Sequence, residues 1–262
     1  MIRSPIITVM VQAARKAARA LVRDFGEVEN LQVSLKGPAN FVSAADRRAE
    51  EILYAELSKA RPAFGFLMEE RGRIQGKDPN HQWVVDPLDG TTNFLHGIPI
   101  FAISIALVKD GTPIAGLVFN PVTDETFVAE RGKGAFLNER RLRVAARRDL
   151  DNCVVCCGIP HRGRGDRAQF RKELAAVQER VAGLRRTGAA AIDLAWVAAG
   201  RFDGFWERSL SPWDLAAGLI LVREAGGYVT DLDGGDAALD KGSVLAGNAD
   251  IHGALLALLK SA

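Results

Sequence analysis

The run Trp83-Val84-Val85-Asp86-Pro87-Leu88-Asp89-Gly90-Thr91-Thr92-Asn93 concentrates the chemistry of this chain. An apolar stretch ends in two acids, and Gly, two threonines and Asn follow at once. Asp86 and Asp89 fall where a buried strand would emerge, so that both carboxylates face one small volume. Two close carboxylates repel unless a cation lies between them, and hard divalent ions such as Mg²⁺ take oxygen ligands. The Gly90-Thr91-Thr92 turn offers backbone N–H groups and a hydroxyl to an anion. Metal ligands beside an anion cradle point to metal-assisted phosphate chemistry. The same D-P-x-D-G pattern is also ordinary turn chemistry, with Asp and Pro starting a turn and Gly supplying φ > 0. Company elsewhere in the chain has to separate the two readings.

Further acids are available. Glu69 and Glu70 end a short apolar strand, or form an ordinary surface pair. Asp214 falls in the first turn of a helix opened by Ser211-Pro212, where an acid at the third position completes a capping box and suits the helix dipole. Gly188-Ala189-Ala190 opens another helix with small side chains, which either leaves N–H groups open to an anion or serves close packing. Lys36-Gly37 could place an ammonium near a phosphate or carboxylate. The histidines, His81, His96, His161 and His252, show no pairing at metal-ligand spacing, and His96, in a turn just after the acidic loop, reads as a structural residue or as a support behind the site residues.

These residues need elements to position them. Ile7, Val11, Ala14, Ala18, Leu21 and Phe25 recur at helical spacing. Ser43-Ala44-Ala45-Asp46 reads as a capping box opening a second helix that ends before Pro62. Phe64–Met68 reads as a strand, and Arg71 to His81 as a polar, turn-rich loop. Trp83–Val85, Ala102–Val108, Ile114–Phe119, Thr126–Ala129 and Gly134–Leu137 read as antiparallel strands divided by turn signals. After a strand at Cys153–Cys157, helices are predicted over Gln169–Val181, Ala190–Ala199, Ser211–Ala225 and Asp250–Leu259. Strands are predicted at Phe202–Trp206, Tyr228–Thr230 and Ser243–Ala246. Helices flanking two groups of strands make a layered α/β sandwich in a single domain spanning 1–262.

Composition excludes several classes. Hydrophobic residues make up 48% of the 262 and charged residues 25%, an ordinary globular balance. A net charge of +2 gives no global field for nucleic acid or a membrane surface. Arginines cluster at Arg140, Arg141, Arg143, Arg147 and Arg148 and again at Arg162, Arg164 and Arg167, as a solvated surface or as an anion-steering or interaction patch. The N-terminus reads as an amphipathic helix without a secretory cleavage pattern, and no run has membrane-spanning length. Three clustered cysteines, Cys153, Cys156 and Cys157, argue against a disulfide framework and for a reducing, cytoplasmic compartment. Thiols in one extended segment point to opposite faces, which disfavours a shared metal.

Taken together, Glu69-Glu70, Asp86-Pro87-Leu88-Asp89-Gly90-Thr91-Thr92-Asn93-Phe94 and Trp213-Asp214-Leu215-Ala216-Ala217-Gly218, closing on Glu224-Ala225-Gly226-Gly227, resemble the inositol monophosphatase family of metal-dependent, lithium-sensitive phosphatases. The resemblance covers almost the whole chain and implies an αβαβα sandwich of the sugar-phosphatase type. It implies Glu69, Asp86 and the Leu88 carbonyl as ligands of a first Mg²⁺, Asp86, Asp89 and Asp214 as ligands of a second, and a third, weaker ion near Glu69. It implies that Glu69 and Thr91 activate the attacking water and that Gly90 and Thr91 N–H groups cradle the phosphate. Gly188, Ala189, Ala190 and Glu207 then face the substrate, while Lys36 and Asp46 match a loop nearby. A homodimer is implied as well.

Some positions depart from the family pattern. Ala189 stands where many relatives carry Ser or Thr, which bears on substrate preference. Asn40 and Ser43 replace a more usual Asp and Thr, which bears on a third metal. The expected activity is Mg²⁺-dependent hydrolysis of a small phosphorylated polyol, foremost inositol monophosphate. Fructose 1,6-bisphosphate, histidinol phosphate and nucleotide phosphates are the alternative substrates. A regulatory protein contacting the transcription machinery, with no membrane association, is the alternative of another class.

Overall fold

The computed structural model describes all residues except 1–3, 28–32, 38–39, 161–162 and 164, and gives 33–37 and 40–43 as backbone alone. The chain runs α1 (Pro5–Phe25), β1 (Val33–Gly37), β2 (Asn40–Ser43), α2 (Ala44–Ala60), β3 (Phe64–Met68), β4 (Gly72–Ile74), β5 (Asp78–Asp89), α3 (Thr91–Leu95), β6 (Ala102–Lys109), β7 (Thr112–Asn120), β8 (Glu125–Glu130), β9 (Gly134–Leu137) and β10 (Arg140–Arg141). It continues through β11 (Val154–Cys157), α4 (Arg167–Gln178), β12 (Gly183–Arg185), α5 (Ala190–Ala198), β13 (Gly204–Arg208), α6 (Pro212–Glu224), β14 (Tyr228–Thr230), α7 (Ala238–Lys241), β15 (Ser243–Gly247) and α8 (Ala249–Ser261).

Five layers result. An eight-stranded sheet in the order β10-β9-β8-β7-β6-β5-β3-β4 is antiparallel throughout except for the parallel pair β3–β5. A five-stranded sheet has the order β12-β11-β13-β15-β14, with β11 parallel to both of its neighbours. Helices α1 and α2 cover the outer face of the large sheet through Met10, Leu21, Leu53 and Leu57, packed with Trp83, Val85 and Ile105. Helices α5 and α6 fill the space between the sheets. Helices α4 and α8 close the far side, packing Phe170, Val177, Leu255 and Leu259 with Trp206 and Leu245.

The sequence of each helix fits its layer. Helix α1 starts at Ser4, whose hydroxyl accepts from Ile7 N–H, with Pro5 at the first turn. It buries one stripe, Ile7-Met10-Val11-Ala14-Ala17-Leu21, as an amphipathic surface helix does. Helix α6 buries Leu215 through Val222 without a break, because both of its sides are covered. Among the described residues no helix is long and apolar enough to cross a membrane. The three thiols are free and buried, Cys156 on one face of β11 and Cys153 and Cys157 on the other, as the extended reading required.

One expectation is corrected. Arg71 to His81 is not a loop throughout: β4 pairs with β3, and β5 starts at Asp78, well before Trp83. Turn-forming residues there, Gly72, Gly76 and Pro79, hide a short edge strand and a strand start. The Phe202–Trp206 strand lies at Gly204–Arg208, so Glu207 is inside it. The Ser43 cap falls outside the described side chains.

Candidate active site

In a regular strand, residues three apart point to opposite faces. Asp86 pairs with Ser104 and Asp89 with Ala102, so three steps along β5 match two along β6. One extra residue on β5 is a β-bulge, and it turns Asp89 to the side that Asp86 occupies. Leu88 N–H donates to Asp86 Oδ1 at 2.8 Å and holds the bulge closed.

The third acid arrives on α6. Asp214 caps its own helix by accepting from Ser211 N–H at 2.7 Å. Ser104, opposite Asp86, donates to the carbonyl of Trp213 at 3.1 Å and ties the helix start to the sheet. Ligand atoms of Asp86, Asp89 and Asp214 all lie within 4.8 Å of one another. Capping and clustering therefore coexist at Asp214, since a carboxylate has two oxygens. Glu69 is not one of these three, but its charge reaches both Asp86 and Asp89. The turn that carries Glu69 is held by Glu50 of α2, whose buried carboxylate accepts from Glu70 N–H at 2.8 Å.

Electrostatics give the cluster its character. Burial pushes the Asp86 pKa well above the carboxylate range, and the charges of Glu69, Asp89 and Asp214 push it further. Asp89 is raised likewise, by burial and then by Asp214. Such a group cannot hold several negative charges in low dielectric without compensation. Hard oxygen donors, negative and convergent, suit Mg²⁺. The residues therefore fit a divalent cation.

Beside the acids, Gly90 adopts φ +89°, and an added Cβ would stand 3.0 Å from the Ile100 carbonyl oxygen and 3.1 Å from Ala189 Cβ. Only glycine allows this approach, which brings the acid loop against the start of α5. Asp89 Oδ2 then accepts from Ala191 N–H at 2.8 Å. The Thr91 hydroxyl lies 3.1 Å from the Leu88 carbonyl and 3.2 Å from Asp46 Oδ1, with one proton to serve either. Glu207 faces the same region: burial raises its pKa first, and Asp193, Asp214 and Asp89 add to the rise, while Arg186 opposes it.

The model of the inositol monophosphatase family matches residues 2–262. The chain belongs to the inositol monophosphatase family. Within it, an inositol-1-monophosphatase of Mesorhizobium japonicum is 63% identical over 260 residues, covering 99% of this chain and 98% of the relative. A Nus factor SuhB of Escherichia coli K12 is 41% identical over 256 residues, covering 98% and 96%. The crystal structure of the extragenic suppressor protein suhB from Bartonella henselae superposes with a TM-score of 0.95 at 59% identity, covering 98% and 99%.

Seen as a family member, the chain has its sequence-predicted acids where the fold brings them together: Asp86, Asp89 and Asp214 in the cluster, Glu69 at its edge, Glu207 facing it. Gly90 lies against Ala189 at the start of α5, with Thr91 next to the one in sequence and Gly188 and Ala190 flanking the other. Lys36, Asn40 and Ser43 have side chains outside the described residues. His96 ends α3, its Nδ1 2.8 Å from the Thr92 carbonyl oxygen, a structural place. Sequence reasoning assigned no role to Glu50, Asn93, Thr187 or Asp193, all four in hydrogen bonds that hold the site's segments. A polar residue in an otherwise apolar helix, Asp193, was the one signal available.

Proposed function

We propose that this chain hydrolyses small phosphate monoesters in a Mg²⁺-dependent reaction, with inositol monophosphate as the foremost substrate. It is a phosphoric monoester hydrolase of the inositol monophosphatase family. The observation that carries the reading is the convergence of Asp86, Asp89 and Asp214 within 4.8 Å beside the Gly90 turn.

Asp86, Asp89, Asp214, Glu69 and the Leu88 carbonyl are the residues that would hold two Mg²⁺ ions, with a third, weaker one near Glu69. When bound, the metal supplies acidification of water and compensation of charge on the leaving oxygen. Glu69 and Thr91 orient the attacking water, Thr91 by a hydroxyl already fixed between Leu88 and Asp46. Gly90 and Thr91 N–H groups hold the phosphate. The Gly188–Ala190 backbone and Glu207 meet the alcohol. Glu207, beside the cluster, offers its carboxylate to a hydroxyl of the substrate. Ala189 presents only a methyl group there, which favours grip by backbone over grip by side chain. The family resemblance supports a homodimer.

Phosphate release from inositol 1-phosphate, fructose 1,6-bisphosphate, histidinol phosphate, 3′-phosphoadenosine 5′-phosphate and NADP ranks the substrates. Inositol 1-phosphate is expected to lead. Another leader would keep the reaction and move the substrate, and silence on all five would count against the reading.

A second reading, contact with the transcription machinery, is supported by the E. coli relative named a Nus factor. Binding to transcription complexes that survives Asp89→Asn would establish it as separate from hydrolysis.

A further inference from the structure

Helix α5 begins without a cap of its own, because its N-cap residue is Ala189. Two contacts from elsewhere fix its start. One is Asp89, accepting from Ala191 N–H. The other is Asn93, 3% exposed, whose amide nitrogen donates to the Ile100 carbonyl at 2.7 Å and to the Thr187 carbonyl at 2.8 Å. Both amide protons are thereby used. Thr187 extends the line: its hydroxyl donates to Asp193 Oδ1 at 2.5 Å and accepts from Ala189 N–H at 3.4 Å. Asp193, 1% exposed, also accepts from the Cys156 thiol on β11.

This polar line crosses from the loop after α3 to the small sheet and passes behind Gly188, where an added Cβ would stand 3.3 Å from Asn93 Nδ2. Burying a carboxylate and an amide costs desolvation that apolar packing avoids. The rest of α5 is Ala, Ile, Leu, Val and Trp, so Asp193 is its one charged residue. Midway along it, Asn93 and Thr187 hold the turn that leads into Gly188–Ala190.

We propose that Asn93, Thr187 and Asp193 are positioning residues that fix the Gly188–Ala190 backbone against the acid loop and so set the grip on the alcohol part of the substrate. The inference rests on the phosphatase reading above. Because the amide protons of Asn93 and the hydroxyl of Thr187 are engaged internally, their effect reaches the substrate through the backbone. Loss of the line therefore weakens binding more than turnover.

Thr187→Val removes the hydroxyl at nearly constant shape, and Thr187→Ser restores it. With inositol 1-phosphate and saturating Mg²⁺, Thr187→Val is expected to raise KM about tenfold, the worth of one buried hydrogen bond, with kcat within about threefold. Thr187→Ser is expected within about twofold of wild type in both. In the metal-free protein, amide hydrogen exchange over residues 188–193 should quicken in the valine variant and not in the serine variant. Should the valine variant fail to fold, Thr187→Ala, which removes the hydroxyl and adds no charge, carries the same expectations. Wild-type KM and wild-type exchange in a folded Thr187→Val, or a fall in kcat at unchanged KM, would overturn the proposal. A wild-type enzyme silent on every phosphate monoester would overturn the phosphatase reading instead, and the exchange comparison would still decide whether the clamp holds the segment.

Discussion

Gly158 lies under the Glu207 carboxylate so closely that a Cβ on it would stand 1.7 Å from Glu207 Cδ. Gly158 N–H also donates to the Trp206 carbonyl at 3.1 Å, which fixes the end of β11 against β13. No side chain larger than hydrogen leaves Glu207 in place. Gly158→Ala is expected to push Glu207 aside and to raise KM for a polyol phosphate by about tenfold, with the Mg²⁺ half-saturation within about threefold. Steady-state kinetics at varied substrate and varied Mg²⁺ separate the two.

Asp89→Asn keeps an acceptor for Ala191 N–H and removes a charge. Activity is expected to fall at least about a thousandfold, because a ligand of the proposed metal pair is lost. Thermal stability of the metal-free protein is expected to rise, since burial and the neighbouring Asp214 make an ionised Asp89 unfavourable there. A phosphate-release assay and a melting curve in chelator check both directions. Activity within a few-fold of wild type would contradict the assignment of Asp89.

Gly90→Ala tests the close approach of the acid loop to α5. A residue with a Cβ is strained at φ +89° and meets the Ile100 carbonyl oxygen at 3.0 Å. A loss of about 1–3 kcal/mol in stability is expected from the backbone conformation, with a larger proportional loss of activity as Ala189 is displaced. Denaturant unfolding alongside kinetics gives the two values.

Much of the architecture was legible because its signals are local. Ser4-Pro5 and Ser211-Pro212 are helix starts that any chain would read the same way. The acid-rich turn after Trp83–Val85 is by itself ordinary turn chemistry, and it became legible as a site only in company with Glu69-Glu70 and the Asp214 block. The β-bulge was not legible, although it puts Asp86 and Asp89 on one side, because register against β6 belongs to the folded chain. Asn93 and Thr187 were equally hidden, being 94 residues apart in sequence. Gly76 looked like loop punctuation, but its hydrogen faces backbone: a Cβ there would stand 2.3 Å from Gly65 nitrogen.

Stability should also depend on acid through Asp231, away from the cluster. Burial pushes its pKa up, but N–H groups of Gly235 and Asp233 and the Lys241 ammonium, 3.0 Å away, outweigh this and hold it at about 2. A folded pKa below the unfolded one means that the unfolded chain binds more protons in between. The stabilisation is therefore complete above the ordinary Asp range and is lost as pH falls toward 2. Asp231→Asn is expected to lower the melting temperature by a few degrees at pH 7, with the difference shrinking below pH 4. Melting curves of both proteins across pH test this.

The most direct measurement is phosphate release from inositol 1-phosphate by wild type and Asp86→Asn, each with Mg²⁺ and with chelator. Turnover is expected only in wild type with Mg²⁺, because Asp86 faces both Glu69 and the Asp89–Asp214 pair. Turnover that survives chelator, or that survives Asp86→Asn undiminished, would contradict a metal site built on these acids.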